Sequence, residues 1–85
     1  MALIINSHVS AHDVEAALRA GAGDLLESIS LFDRYDKIGD GKISLAFSLT
    51  FRAEDRTLTG AEVSEMRSAA VASAQKATGA IIRTA

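Results

Sequence analysis

The chain has 85 residues, a length that fits a single domain. It contains no cysteine, which excludes a disulfide framework, a thiolate metal site and a cysteine nucleophile. The net charge of −2 argues against a dedicated nucleic-acid protein, although residues 42–85 carry six basic and four acidic side chains and could form a basic face. No apolar run of about 18 residues and no charged leader is present, so we expect no membrane partner and a cytoplasmic location.

The first part of the chain predicts a strand followed by a helix. Residues 3–5 are a short β-prone run. Ser10 with Asp13 three residues later is a capping box that opens a helix, and Gly21-Ala22-Gly23 is expected to end it.

Residues 26–35 predict a second strand, which ends before the turn signal Gly39-Asp40-Gly41. Strict alternation puts Ile29 and Leu31 on one face and, if it continues, Asp33 and Tyr35 with them. The other face then carries Ser28, Ser30, Phe32 and Arg34.

Residues 42–52 give the clearest strand, because apolar and small polar side chains alternate over its whole length. The apolar face contains Phe47 and Phe51, so both rings are predicted to lie in the core. An RNA-recognition motif needs such rings on its open sheet face, and this register therefore excludes that class of RNA-binding domain. The apolar set is Ile43, Leu45, Phe47, Leu49 and Phe51.

The remaining residues predict a long helix and a fourth strand. Thr59 with Glu62 is a second capping box, and Gly79 is expected to end the helix, whose apolar face is Val63, Met66, Ala70, Ala74 and Ala77. Residues 80–83 read as a strand. The order β-α-β-β-α-β predicts an α+β ferredoxin-like sandwich, with two helices on one face of an antiparallel four-stranded sheet and the other face open.

The residues offer little for metal binding or catalysis. Residues 36–47 match only part of a calcium-binding loop and predict a hairpin turn instead. His8 and His12 lie on either side of the predicted helix cap, so we expect exposed side chains and no metal site. No nucleophile–histidine pair and no phosphate-binding glycine loop is recognisable, so no catalytic residue is assigned. Tyr35 is free to stack on a base or to close over the core, and the residues alone leave both readings open.

Four segments together resemble one known family. Leu31-Phe32-Asp33-Arg34-Tyr35 resembles its Leu-Phe-Asp-x-Tyr, and Lys42-Ile43-Ser44-Leu45-Ala46-Phe47 resembles its Lys-x-Ser-Leu-Ala-Phe. Residues 52–63 resemble its Arg-x-x-Asp-Arg-Thr-Leu-Thr-x-x-Glu-Val, and residues 79–83 its Gly-Ala-x-Leu-Arg. The segments occur in family order across essentially the whole chain. The sequence is therefore identified as a member of the ferredoxin-fold anticodon-binding domains, found at the carboxyl end of bacterial phenylalanyl-tRNA synthetase β chains.

The resemblance implies a module that reads the anticodon of tRNA-Phe and has no catalytic site or cofactor of its own. The parent enzyme would be an α2β2 ligase that uses ATP and Mg²⁺. In the family the wobble guanine is held at the positions that match Asp33, Tyr35 and Ser44, and Ala2 matches a residue lining the same pocket. No DNA partner is implied.

The sequence departs from the family pattern in one loop. Tyr35-Asp36-Lys37 stands where the family usually has Tyr-Arg-Gly, and the loop is about two residues shorter than is common. The family's Arg-Asp pair before the first strand is missing, so we expect residues 1–85 to be one domain and a fragment of a longer chain. The alternative function is a small ferredoxin-like regulatory or assembly domain that binds a metabolite or a protein partner.

Overall fold

The computed structural model describes residues 1–82, which form a four-stranded antiparallel sheet and two helices. The spatial strand order is β2-β3-β1-β4. This order and the alternation of strands and helices confirm the predicted ferredoxin-like α+β sandwich. The elements are β1 (Ala2–Asn6), α1 (Ala11–Ala22), β2 (Leu26–Gly39), β3 (Lys42–Phe51), α2 (Gly60–Thr78) and β4 (Ile81–Ile82).

The core lies between the helices and one face of the sheet. Phe47 is the largest fully buried side chain, and Leu3, Ile5 and Leu45 of the two central strands are buried beside it. The predicted alternation of β3 is confirmed, because Ile43, Leu45 and Phe47 face the core while Ser48 and Thr50 are exposed. The helices contribute Val14, Ala17, Leu18, Ala22, Ala70 and Ala74 to the same cluster.

Both predicted helix starts are confirmed. The Ser10 hydroxyl accepts a hydrogen bond from the Asp13 backbone N–H at 3.1 Å, but the predicted capping box is incomplete here, because the described residues show no return hydrogen bond to the Asp13 carboxylate. The Thr59 hydroxyl accepts from the Glu62 N–H at 3.2 Å, and the Glu62 carboxylate accepts in return from the Thr59 N–H, which completes a capping box. Gly79 ends α2 in the left-handed conformation, as predicted.

The end of α1 predicted within Gly21-Ala22-Gly23 is confirmed at Gly23, but the helix-ending role expected for Gly21 is wrong. Helix α1 continues through Gly21 and Ala22 and ends at Gly23, which has a φ of 85°. A Cβ added at Gly21 would lie 2.5 Å from the Ala69 carbonyl oxygen and 2.9 Å from the Ala70 Cα. Gly21 therefore allows α1 and α2 to cross at close range, and it does not end a helix. The apolar face predicted for α2 is also too long, because Ala77 is exposed.

The segment after Tyr35 is strand and not loop. Strand β2 continues to Gly39, which pairs with Lys42, so that only Asp40 and Gly41 form the turn. Both turn residues have positive φ, 56° and 68°, as in the two-residue turns that match the twist of a hairpin. Strand β4 is described over two residues, and the part of its prediction that falls on Arg83 lies outside the described residues.

Candidate functional site

An extra residue in β2 decides which side chains lie on the open face of the sheet. Phe32 has no partner of its own in β3, so Leu31 and Phe32 together oppose Phe47. This β-bulge shifts the alternation by one residue. Asp33 and Tyr35 therefore lie on the face opposite to Ile29 and Leu31, and the uninterrupted alternation expected from the sequence is wrong here. The register runs Ile29↔Leu49, Leu31↔Phe47, Asp33↔Ala46 and Tyr35↔Ser44.

The four residues singled out by the family resemblance share this open face. Tyr35 pairs directly with Ser44 across β2 and β3. Asp33 pairs with Ala46, which pairs on its other side with Ala2 of β1. Ala2 and Asp33 are thus two strand spacings apart, about 9.6 Å, with only a methyl group between them.

The open face has small side chains on its two central strands and an aromatic ring, Tyr35, on the edge strand β2. Ser44 is only 5% exposed, and it lies between its two strand partners, Ile4 of β1 and Tyr35 of β2. Tyr35 is 48% exposed, and Asp33 is exposed beside it on the same edge strand. Because Ala2 and Ala46 are small, a planar group can approach the backbone of the central strands between these side chains.

Of the three phenylalanine rings and one tyrosine ring in the chain, only that of Tyr35 lies on the open face. Phe47 is buried and Phe51 packs against the core, as the register of β3 predicted. Phe32 lines a hollow with Val63 and Arg67 of α2 on the helix side. The reading of Tyr35 as a lid over the core is therefore wrong, and its ring is available to stack on a ligand.

Sequence reasoning missed the neighbours of these residues. Ile4 pairs with Ser44 and with Ile81 of β4, so an apolar row continues across the open face from Tyr35. On the hairpin side, Asn6 pairs with Lys42, and the Lys42 ammonium donates a hydrogen bond to the Asn6 side-chain oxygen. Strand pairing brings these residues to the site, and residue types alone do not give the register between β1 and its neighbours β3 and β4.

The helix side of the sheet offers a second location. An open hollow of about 390 Å³ lies between α2 and β4, and its lining includes Arg67, Val71 and Ile82. Among the described residues that line it, Arg67 has the one ionisable side chain, and none is acidic or a histidine. The hollow can therefore accommodate an apolar or anionic group, and its described side chains include no carboxylate or imidazole that could act as a general base.

The described residues show no cluster of side chains that could form a metal-binding site. Within residues 1–82 no three histidine, cysteine, aspartate or glutamate side chains are grouped closely enough to hold a metal ion. Residues 36–47 lie almost wholly in the β2–β3 hairpin, which confirms the turn and contradicts a calcium-binding helix–loop–helix. His8 lies before the N-cap Ser10 and His12 inside α1, and both are exposed. Neither of the two helices in the described part of the chain has the length and apolarity to cross a bilayer.

Comparison with known proteins identifies the family. The sequence profile of the family described as "Ferredoxin-fold anticodon binding domain" matches residues 1–83. The chain belongs to this family. The resemblance carried by the sequence motifs is thereby confirmed.

Relatives of this anticodon-binding domain are much longer proteins. The phenylalanine–tRNA ligase beta subunit of Streptomyces avermitilis is 57% identical over 86 residues, which cover 99% of this chain and 10% of that protein. The subunit of Thermobifida fusca is 53% identical over 98% of this chain and 10% of its own length. The subunit of Mycobacterium leprae is 46% identical over 99% and 10%. The chain thus spans about a tenth of the curated relatives that it matches.

Proposed function

We propose that this domain is the anticodon-reading part of a phenylalanine–tRNA ligase beta subunit and that it holds the wobble guanine of tRNA-Phe on its open sheet face. The proposal rests on the family membership and on one structural observation. The bulge at Phe32 brings Asp33 and Tyr35 to the same face as Ser44 and Ala2. Without that bulge, the carboxylate and the ring would point towards the helices.

The chemistry of the face suits a guanine. The Watson–Crick edge of guanine carries two neighbouring donors, N1–H and N2–H, and the Asp33 carboxylate accepts hydrogen bonds and cannot donate them when ionised. Adenine presents an acceptor at N1 and has no N2 amino group, so it would lose both hydrogen bonds. Single-stranded bases are commonly recognised in this way, by edge hydrogen bonds together with an aromatic ring.

The other three residues complete the pocket. The Tyr35 ring stacks on the base, and stacking on an aromatic side chain contributes about 1–3 kcal/mol. The Ser44 hydroxyl both donates and accepts, so it can bind the base or its ribose. Ala2 sets the depth of the pocket because its side chain does not extend beyond the first carbon.

The remainder of the enzyme lies outside this chain. We assign ATP, Mg²⁺ and the phenylalanine-activating step to other parts of an α2β2 assembly in the cytoplasm, and no cofactor to this domain. The domain then acts by positioning tRNA, so its variants should affect the step that uses tRNA and not the activation of the amino acid.

The test uses the reconstituted synthetase. Removing a hydrogen bond to a charged group costs about 1.5–3 kcal/mol, and removing a stacking ring about 1–3. We expect Asp33→Ala and Tyr35→Ala each to lower kcat/KM for tRNA-Phe by roughly ten- to a hundredfold. Tyr35→Phe keeps the ring and should lose little.

The controls separate reading from folding. Asp36→Ala removes an exposed carboxylate from the same strand, beyond the Tyr35–Ser44 pair, and should leave kcat/KM nearly unchanged. Phenylalanine-dependent ATP–pyrophosphate exchange should be unaffected in every variant. Wild-type tRNA kinetics in both Asp33→Ala and Tyr35→Ala would contradict the proposal and favour the regulatory or assembly alternative, for which the hollow beside α2 is a candidate site.

A further inference from the structure

The open face carries a cation one row away from the proposed guanine pocket. Lys42 pairs with Asn6, and the next row on the same face is Ile4, Ser44 and Tyr35. Rows on one face are two residues apart, about 6.6–6.8 Å along a strand. The ammonium of Lys42, on its flexible four-carbon stem, can therefore reach groups that flank a base lying over Ser44.

Lys42 takes part in neither of the two ion pairs found among residues 1–82. Those pairs join Arg52 to Glu27 at 3.4 Å and Arg56 to Glu62 at 2.6 Å. Lys42 instead donates to the neutral amide oxygen of Asn6. An ammonium has three N–H donors, so this hydrogen bond orients the group while leaving two donors and the full positive charge for a ligand.

A phosphate is the group that such a cation would bind beside a nucleobase. Every nucleotide of a single strand is flanked by phosphates, and lysine binds phosphate as a compact point charge. The domain carries a net charge of −2, so a positive charge near the pocket is needed to favour the approach of an anionic strand.

We propose that Lys42, oriented by Asn6, binds a phosphate of the anticodon loop next to the wobble nucleotide. This inference rests on the function proposed above and adds to it a residue that recognises the RNA backbone. Phosphate contacts position a nucleic acid without reading its sequence. Lys42 therefore contributes affinity equally for any wobble base, whereas Asp33 contributes to the choice of base.

The competing explanation is structural, because the Lys42–Asn6 hydrogen bond also joins β3 to β1. The salt dependence of tRNA binding distinguishes the two. Each phosphate neutralised on a single strand contributes about 0.7 to the slope of log K against log salt concentration. A lysine that only holds two strands together contributes nothing to that slope.

The experiment measures binding of tRNA-Phe to the reconstituted synthetase over a range of salt concentrations. We expect Lys42→Gln to reduce the slope by about 0.7 and to weaken binding by the same factor for tRNA with and without the wobble guanine. Lys42→Arg should restore the slope, and Asn6→Ala, which keeps the charge, should leave it unchanged. Lys76→Gln removes an exposed cation from the last turn of α2, in the opposite layer, and serves as the matched control with a wild-type slope.

Two results would overturn the inference. A wild-type slope in Lys42→Gln, with a melting temperature lowered as much as in Asn6→Ala, would make Lys42 a strand-joining residue only. A loss in Lys42→Gln confined to tRNA with the wobble guanine would make it a base-reading residue. In either case Asp33→Ala should still show its base-specific loss, so failure of this inference is distinct from failure of the proposed function.

Discussion

The close crossing of α1 and α2 at Gly21 predicts an unusual response to alanine. In most helices Gly→Ala is stabilising by roughly 0.5–1 kcal/mol, because glycine loses more backbone freedom on folding. At Gly21 the new Cβ would stand 2.5 Å from the Ala69 carbonyl oxygen and 2.6 Å from the Ser73 Cβ. Ordinary contact begins at 3.4 Å, so the helices must separate by about 1 Å.

The magnitude follows from two opposing terms. Overpacking a well-packed contact costs typically 1–3 kcal/mol, and the upper end applies because two of the three nearest atoms are backbone atoms of a packed helix. Subtracting the helix-propensity gain leaves a net loss of about 2 kcal/mol. In a domain of this size, that loss lowers the melting temperature by roughly 8–16 °C.

Urea denaturation of Gly21→Ala measures this loss, and the same chain supplies its control. Gly60 is the first residue of α2, and a Cβ added there meets nothing within 4 Å. Gly60→Ala should therefore be neutral or slightly stabilising. If Gly21→Ala is as stable as Gly60→Ala, the two helices do not cross at the distance described, and the role given to Gly21 is refuted.

Three further predictions concern the core, the start of α2 and the electrostatics of the chain. Phe47→Ala should cost about 3–5 kcal/mol in urea melts and Ser48→Ala under about 0.5, and equal losses would contradict the register of β3. Hydrogen bonds from Arg56 and Thr59 lower the pKa of Glu62 to about 2 from 4.5. Because the folded pKa lies below the unfolded one, the stabilisation from this carboxylate is complete above pH 4.5 and is lost as the pH falls towards 2. The melting temperature of Glu62→Gln should therefore fall less than that of the unmutated chain between pH 6 and about 2.5. An equal fall in both proteins would show that Arg56 and Thr59 do not stabilise the Glu62 carboxylate. The isolated chain, with its net charge of −2, should bind tRNA no more tightly than about micromolar near 150 mM salt, and a nanomolar complex would reveal a dominant basic surface.

The elements that the sequence predicts well are those defined by local chemistry. The two N-caps depend on a side chain and a backbone N–H three residues apart, so Ser10 and Thr59 identify the helix starts without any tertiary information. The register of β3 follows from eleven alternating residues and needs no knowledge of its neighbours.

The elements that it predicts poorly depend on contacts between distant segments. The bulge at Phe32 is defined by the pairing of β2 with β3. The residue types in β2 do not indicate which position is left unpaired. Gly21 resembles a helix end because glycine serves both to end helices and to admit a close neighbour, and the neighbour is almost fifty residues away in the chain. The continuation of β2 to Gly39 likewise depends on pairing with Lys42.

The candidate site can therefore be predicted from the sequence only in part. The identities of Asp33, Tyr35, Ser44 and Ala2 came from the family resemblance, and uninterrupted alternation would have put Asp33 and Tyr35 on the wrong face. The contribution of the structure is to bring all four to one surface and to add Lys42 beside them. Their role in reading a base stays a prediction.

The most direct test of that role is a double-mutant cycle between Asp33 and the wobble guanine in the reconstituted enzyme. In the unmutated enzyme, replacing the wobble guanine with adenine should lower kcat/KM by roughly ten- to a hundredfold, comparable to the loss in Asp33→Ala with normal tRNA. If Asp33 binds this base, the second change should add little, less than about threefold, because the contact is already absent. If the two losses instead multiply, to a factor of roughly a hundred or more, Asp33 and the guanine act independently and the proposed reading site is wrong.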